Sequence, residues 1–429
     1  MGGSKKQARY IMAQLYGNAI IGQSGGPTAA INATLSGVIR GCLACNGIDK
    51  IYGAVNGIEG VLERRLLLLN GTLGSEEDFR LLENTPAAAL GSCRKKLPPD
   101  TEGDNLMVYE NLLDIFRDYN VRYFFYIGGN DSMDTVAKLS AFLQEVGYDM
   151  RVIGVPKTID NDLVGTDHTP GFGSAAKYVA TTMSEIMLDT AVYTVKAVTI
   201  VEIMGRGAGW LTAAAALPAL SGEGAPDMIY LPESVFDYDD FFRDLDKAFE
   251  KHPNVVVAVS EGIRFKDGTY VGESGQSGAT DAFGHKYLSG TAKVLENAVR
   301  ERIGCKVRAV ELNLPQRCAA HIASATDLEE SVLIGRSAVE YAAFGETGKM
   351  VVFVREPGDT YTIRIDCVDI GNVANAVRSV PGEFINENGN GVTESCLRYL
   401  QPLIVGETSP VYENGLPKHF RFEKKSGNQ

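Results

Sequence analysis

Residues 122–132 read Arg122-Tyr123-Phe124-Phe125-Tyr126-Ile127-Gly128-Gly129-Asn130-Asp131-Ser132, a short apolar run that stops at two glycines. The run 122–127 has the length and aromatic content of a buried strand, and 132–146 follows with a helical pattern. A strand that turns through glycine into a helix is the repeating unit of a parallel sheet covered by helices. The unit recurs along the chain. Residues 17–22, 51–55 and 151–155 read as further strands, with another helix over 105–119. A second series of strands follows at 197–203, 227–231, 254–260, 306–313 and 349–354. The alternation predicts an α/β fold of two Rossmann-like lobes, with mainly parallel sheets flanked by helices. In such sheets ligands sit beyond the carboxyl ends of the strands, where the glycine turns also fall. Tyr361, Ile363, Ile365 and Cys367 alternate as in a hairpin over 360–373. Residues 392–400 read as a closing helix and 423–429 as a frayed polar end.

The bulk numbers agree with two lobes. A chain of 429 residues exceeds one ordinary core, and 45% hydrophobic content fills two. A formal net charge of −13 argues against nucleic acid and anionic membranes as partners. Such a chain can bind anions only by gathering its basic residues at one place. Seven scattered cysteines read as reduced thiols of a cytoplasmic protein. Cys42 and Cys45 form a C-x-x-C, but no second pair or histidine stands at zinc-ligand spacing. No apolar stretch approaches about 18 residues, and the start, with Lys5, Lys6 and Arg9, lacks a signal-peptide core.

Four strings carry chemistry. Ser24-Gly25-Gly26-Pro27 follows the first strand and opens a helix, so its glycines allow a phosphate to approach backbone amides. Any tight βα turn could use the same residues. Gly128 and Gly129 repeat the device, with Asn130 and Asp131 at the open end of the strand and Ser132 as a helix cap. Pro156-Lys157-Thr158-Ile159-Asp160-Asn161-Asp162 places two carboxylates on one side of an extended segment, with a lysine and a hydroxyl beside them. One carboxylate can take a hydroxyl proton while the other tunes its neighbour. A surface Asp-Asn-Asp turn is the bland alternative, and it has no use for Lys157. Met204-Gly205-Arg206-Gly207 frees an arginine fork for a phosphate, and Glu261 ends the strand 254–260, where it can bind sugar hydroxyls. Arg308 and Arg317 flank residues 310–315 and can hold a second phosphate.

Taken in order, Gly25-Gly26, Gly91-Ser92-Cys93-Arg94, the strings 128–132 and 156–162, Met204–Arg206, Glu261-Gly262 and Gln316-Arg317 resemble the phosphofructokinase family, and specifically its pyrophosphate-dependent branch. The likeness spans about residues 17–330. It implies reversible phosphoryl transfer from pyrophosphate to the 1-hydroxyl of fructose 6-phosphate, in glycolysis and gluconeogenesis, with Mg²⁺ as cofactor. It also implies a lobe 1–165, completed by about 315–365, that binds the phosphoryl donor. A second lobe, 166–314 completed by about 366–429, would bind the sugar phosphate, with the active site in the cleft between the two. Asp160 would be the base, acting with Lys157, Asp131, Asp162 and Arg206. Gly25, Gly26, Arg94, Gly129 and Ser132 would hold donor phosphates. Thr158, Ile159, Asp160, Met204, Gly205, Arg206, Glu261, Leu314 and Arg317 would bind the sugar phosphate. Arg308 would reach it from a neighbouring subunit, which implies a homodimer or homotetramer.

Two positions bear on the donor. ATP-using members of the family have glycine where this chain has Asp131, and a carboxylate there fills the space of the nucleotide's α-phosphate and repels it. Two like charges about 4 Å apart repel by about 4 kcal/mol at an effective dielectric near 20, roughly a thousandfold in affinity. Lys157 is typical of the pyrophosphate branch and would stabilise charge on the transferring group. Three positions depart from the family. Asn130 stands where a magnesium-binding aspartate is usual, which leaves Mg²⁺ to Asn130, Asp131 and the pyrophosphate itself. Leu314 replaces a polar residue, and Ala197 a basic one beside Lys196, which admits sedoheptulose 7-phosphate as a second acceptor. The alternatives are an ATP-dependent 6-phosphofructokinase and a catalytically weak regulatory paralogue.

Overall fold

The structure is a computed structural model that describes residues 15–272 and 290–422. Lys5, Lys6, Arg9 and the tail 423–429 lie outside the described residues. The first half of the chain runs β1 (Gly17–Gln23), α1 (Ile31–Ala44), β2 (Ile48–Ala54), α2 (Gly57–Leu62), β3 (Leu66–Leu68) and α3 (Glu76–Glu83). It continues with α4 (Asp104–Asp118), β4 (Val121–Gly128), α5 (Asn130–Glu145), β5 (Arg151–Pro156) and α6 (Phe172–Ala191). Then come β6 (Ala197–Ile203), α7 (Trp210–Ala213), β7 (Met228–Tyr230), α8 (Tyr238–Phe249), β8 (Asn254–Ser260), α9 (Thr291–Ile303) and β9 (Lys306–Glu311). It then runs α10 (Pro315–Cys318), α11 (Ala325–Ala343), β10 (Lys349–Arg355), β11 (Ile363–Asp369), α12 (Glu394–Leu400), β12 (Tyr412–Glu413) and β13 (Leu416–Pro417).

Two larger sheets result. One has the order β11-β10-β5-β4-β1-β2-β3 and the other β7-β8-β6-β9. Pairings are parallel throughout the second sheet and the centre of the first, with antiparallel edges at β3 and β11. β11 is the second arm of a hairpin with β10, so Ile363–Asp369 form one strand rather than a hairpin of their own, and Tyr361 precedes it. In the first sheet the strand order reverses at β1, which lies between β2 and β4. A crevice opens at such a switch point, and the turns carrying Gly25 and Gly129 sit there.

Both faces of the first sheet are buried. Phe124 and Tyr126 of β4 pack into one cluster with Phe116, Val136 and Leu139, while Tyr123, Phe125 and Ile127 pack into another with Val38, Ile334 and Ala338. From Tyr123 to Ile127 the strand therefore carries no charged residue, as a strand covered on both sides requires, and Arg122 stands at its open start. The second sheet is sandwiched likewise, with Val201 and Ile203 of β6 facing one cluster and Val198 and Ile200 the other. No helix of the described residues is long and apolar enough to cross a membrane.

α1 and α11 cross at unusually short range. A Cβ on Gly37 would lie 2.1 Å from the Val332 carbonyl oxygen, and one on Gly335 2.4 Å from that of Thr34. Glycine on both helices lets the backbones meet, at the usual cost of glycine inside a helix. The crossing matters for function because α11 also carries two buried carboxylates, Asp327 and Glu330. Asp327 accepts hydrogen bonds from the N–H groups of Gly171 (2.8 Å) and Ser174 (2.9 Å) at the start of α6. Gly37→Ala is expected to lower stability by about 1–3 kcal/mol through overpacking, despite alanine's helix preference of about 1 kcal/mol. A urea midpoint at or above that of the wild type contradicts the close crossing.

Candidate active site

At the end of β1 the chain turns through Ser24, Gly25 and Gly26. The Ser24 N–H donates to Ile127 O at 2.9 Å, the Gly25 N–H donates to Cys93 O at 3.1 Å, and Ser92 Oγ donates to Gly25 O at 2.6 Å. Gly25 has φ 77°, the left-handed region that favours glycine. A Cβ on Gly25 would stand 3.2 Å from Lys157 Nζ, and one on Gly26 3.1 Å from an Arg317 guanidinium nitrogen. Bare backbone here thus leaves room for two cations. A buried amide pair holds the neighbouring loop in place. Gln23 Nε2 donates to Asn32 Oδ1 (3.0 Å), and the Leu90 and Ala89 N–H groups donate to Gln23 and Asn32. That loop carries Arg94 to where its charge acts on Lys157 and Arg317.

The second glycine turn differs from its sequence expectation. α5 begins at Asn130, not at Ser132, and Gly129 is its N-cap residue. Ser132 is buried against Gly128, where a Cβ would stand 2.0 Å from its Oγ, so it explains the glycine rather than capping the helix. The Asn130 carboxamide is engaged at both ends: Nδ2 donates to Ala376 O (2.7 Å) and Oδ1 accepts from the Asn375 N–H (2.6 Å). It anchors a distant loop, which leaves Asp131 as the carboxylate available to a metal. Asp131 in turn pairs with Lys96 at 2.9 Å. Lys96 escaped the sequence analysis, and it weakens the bare charge repulsion estimated there, because Asp131 carries its own counterion.

Lys157, Asp160 and Asp162 do come together, though not on an extended strand. Asn161 adopts φ 54°, and this left-handed kink sets the two carboxylates beside each other. Thr158 Oγ1 accepts from the Asp160 N–H at 3.1 Å. Lys157 is 3% exposed and donates to Gly26 O at 2.6 Å. Burial pushes its pKa down to about 8, against the pull of Asp160. Burial raises Asp160 above the ordinary carboxylate range, opposed by Lys157, Arg206 and Arg317. Asp162 is raised by burial and by the Asp160 charge. Two carboxylates pushed upward beside a lysine pushed downward is the pattern of a proton-transfer site.

The second sheet supplies the other wall. Met204, Gly205 and Arg206 follow β6. Gly205 has φ 131°, its N–H donates to Glu261 Oε1 at 3.1 Å, and its carbonyl accepts from Ser260 Oγ at 2.7 Å. Burial drives Glu261 up to about 7, against the Gly205 hydrogen bond and with the Asp160 charge adding to the rise. Buried Gln316 accepts from the Met204 N–H at 3.1 Å, which locks α10 and its Arg317 to this turn. Ile159 is buried next to Asp160. Leu314 is 53% exposed at the start of α10. Arg308 is not drawn into this group; it lies on β9 beside Asp189, 4.0 Å away, next to Tyr193 and Val195.

The family model for phosphofructokinase matches residues 18–342. The chain belongs to the phosphofructokinase family. Several curated relatives carry the name pyrophosphate–fructose 6-phosphate 1-phosphotransferase, two of them as follows. That of Halomonas elongata is 43% identical over 411 residues, covering 95% of this chain and 96% of the relative. That of Methylococcus capsulatus is 41% identical over 405 residues, covering 94% and 95%. The crystal structure of a pyrophosphate-dependent phosphofructokinase from Nitrosospira multiformis superposes with a TM-score of 0.86 at 37% identity, covering 96% of this chain and 98% of that one.

Several residues that hold the site together were not anticipated. Arg378 donates through its backbone N–H to Asp162 O (2.8 Å) and through its guanidinium to Thr166 O (2.7 Å) and Tyr399 Oη (2.8 Å). Tyr399 also accepts from Asn161 Nδ2 at 3.1 Å. These partners lie more than two hundred residues downstream, Arg378 in irregular chain and Tyr399 on α12, and no local pattern marks their contacts.

The pKa directions fix a pH profile. With Asp160 as the expected base, which works ionised, kcat/KM is predicted to rise as the Asp160–Asp162 pair loses its proton above the ordinary carboxylate range. It falls again as Lys157 loses its charge near pH 8. A pH–rate profile with its acid limb at ordinary carboxylate values contradicts this assignment.

Proposed function

We propose that the chain transfers a phosphoryl group reversibly between pyrophosphate and the 1-hydroxyl of fructose 6-phosphate, giving fructose 1,6-bisphosphate and phosphate. The observation that carries the reading is the buried Lys157 ammonium set against Asp160 and Asp162 where the two sheets meet. Asp160 takes the proton of the attacking hydroxyl, and its raised pKa makes it a stronger base than an ordinary carboxylate. Asp162 supplies the second charge that keeps it so. Lys157, Arg94 and Arg206 face the charge that spreads over the transferring group. Arg317 and Glu261 hold the 6-phosphate and the sugar hydroxyls. The seven-stranded lobe then binds the donor and the four-stranded lobe the sugar phosphate.

Mg²⁺ fits this site as a companion of pyrophosphate. No three carboxylate, cysteine or histidine side chains are arranged to hold a metal ion among the described residues. Asp131 is the one carboxylate at the glycine turn, and Mg²⁺ commonly binds through one or two carboxylates plus substrate phosphates. When bound, the ion would neutralise charge on the donor's oxygens. Beside Arg308, the exposed apolar residues Leu188, Val192, Tyr193 and Val195 form a face suited to a second copy of the chain. We place Arg308 in that partner's sugar-phosphate site, in a homo-oligomer of the cytoplasm.

The test is turnover of fructose 6-phosphate with Mg²⁺ and either pyrophosphate or ATP, with Asp131→Gly run in parallel. Pyrophosphate alone is expected to support the wild type, and the variant to gain ATP use by about tenfold or more, a difference of at least about 1.4 kcal/mol. Wild-type turnover with ATP alone assigns the ATP-dependent activity instead. Silence with both donors favours a regulatory paralogue.

A further inference from the structure

His168 lies on the loop between Asp162 and α6 and is 2% exposed. Nδ1 stands 2.9 Å from Asp167 Oδ2, and Nε2 stands 2.8 Å from Glu330 Oε2 on α11. Ionised carboxylate oxygens only accept, so the ring satisfies both contacts when each nitrogen carries a proton. The geometry therefore selects the imidazolium. Phe353 of β10 stacks on the ring, 4.4 Å between centroids and 11° between planes. Both carboxylates are held in turn. Glu330 Oε1 accepts from Tyr361 Oη at 2.7 Å, and Asp167 Oδ2 accepts from Arg355 Nε at 3.1 Å. The ionisable groups facing His168 are thus Asp167 on its own loop, Glu330 and Asp327 on α11, Arg355 on β10, and Tyr361. Without its proton the cluster would keep three carboxylates against one arginine, away from water.

The loop connects this cluster to the base in a few bonds. The His168 carbonyl accepts from Thr166 Oγ1 at 2.8 Å, and Thr166 Oγ1 accepts from the Phe353 N–H at 3.0 Å. The next residue, Thr169, donates through Oγ1 to Thr158 O at 2.7 Å, and the Thr158 N–H donates to Pro170 O at 3.3 Å. Thr158 Oγ1 then accepts from the Asp160 N–H. The arm 166–170 is therefore the bracket on which residues 158–160 are mounted.

We propose that His168 is a positioning residue for phosphoryl transfer: a buried imidazolium, clamped between Asp167 and Glu330, that fixes the arm supporting Asp160. The idea rests on the phosphoryl-transfer reading of Asp160. It also gives the enzyme an alkaline limit distinct from that of Lys157. Burial works to lower the pKa of His168, but the hydrogen bonds and charges of Asp167 and Glu330 outweigh it and raise the value above that of ordinary histidine. A raised pKa means the clamp is fully present below the ordinary histidine value and is lost as pH rises through the folded-state value.

The experiment uses the full chain, Glu330→Gln and His168→Gln. Wild-type turnover is first established with pyrophosphate and fructose 6-phosphate, so that failure of the activity reading is seen separately. His168→Gln, which can donate from one nitrogen only, is expected to lose about a hundredfold in kcat with KM for pyrophosphate unchanged, the size expected when a reacting group shifts by about 1 Å. Glu330→Gln keeps the shape and removes the charge, so the alkaline limb of kcat moves to lower pH while circular dichroism shows the fold intact. In wild-type protein labelled at the histidine ring carbons, the resonance altered by Glu330→Gln should titrate above the ordinary histidine range. This readout needs no turnover and survives if His168→Gln fails to fold. A His168 that is neutral at pH 7, or a Glu330→Gln profile that overlays the wild type, overturns the proposal.

Discussion

A charged ammonium taken out of water needs opposite charge and polar atoms close by, and at Lys157 this requirement shapes everything nearby. Removing such a charge from water costs several kcal/mol unless a counter-charge and a polar partner replace the solvent. Asp160 supplies the first and the Gly26 carbonyl the second, at 2.6 Å. That carbonyl can come so close because Gly25 turns left-handed and neither glycine carries a Cβ. The Lys157 end of β5 and the Gly26 end of β1 are separated by β4 alone, so three parallel strands in register set the distance. The sheet is the ruler for the site.

The second constraint comes from α11. It is pressed onto α1 through Gly37 and Gly335, and from that fixed position its two buried acids reach toward the catalytic loop. Asp327 holds the start of α6, and Glu330, one turn further on, holds His168. The loop between β5 and α6 has no regular structure of its own, yet its backbone is tied at Gly128, Phe353, Pro170 and Arg378. A base on an untied loop would sample many positions; here the ties come from both ends of the chain.

Much of this architecture is legible in the sequence, because period and punctuation report local physics. Apolar runs closed by glycine or, at β5, by Pro156 marked β1, β4, β5, β6 and β8 close to their observed ends, since strands covered on both faces have no other composition. The short edge strand β3 was missed; three leucines beside a loop carry no periodic signal. The pairing of Asp160 with Asp162 was anticipated for the wrong reason, because a strand alternation was assumed where Asn161 makes a left-handed kink. The roles of Lys96, Asn375, Arg378, Tyr399 and Glu330 were not legible. Each acts through a contact across a long sequence separation, which single-sequence pattern does not encode. The phosphofructokinase motifs were visible because the chemistry concentrates them at strand ends, while the residues that hold those ends in place are dispersed.

The central claim is that Asp160 removes the proton while the surrounding cations bind the anions. The direct measurement is calorimetric binding of fructose 6-phosphate to Asp160→Asn alongside its turnover with pyrophosphate. The account predicts that binding persists and that turnover falls by about 100- to 10,000-fold, the range for loss of a general base. Turnover near the wild-type rate with unaltered binding would contradict it and move the proton to another group.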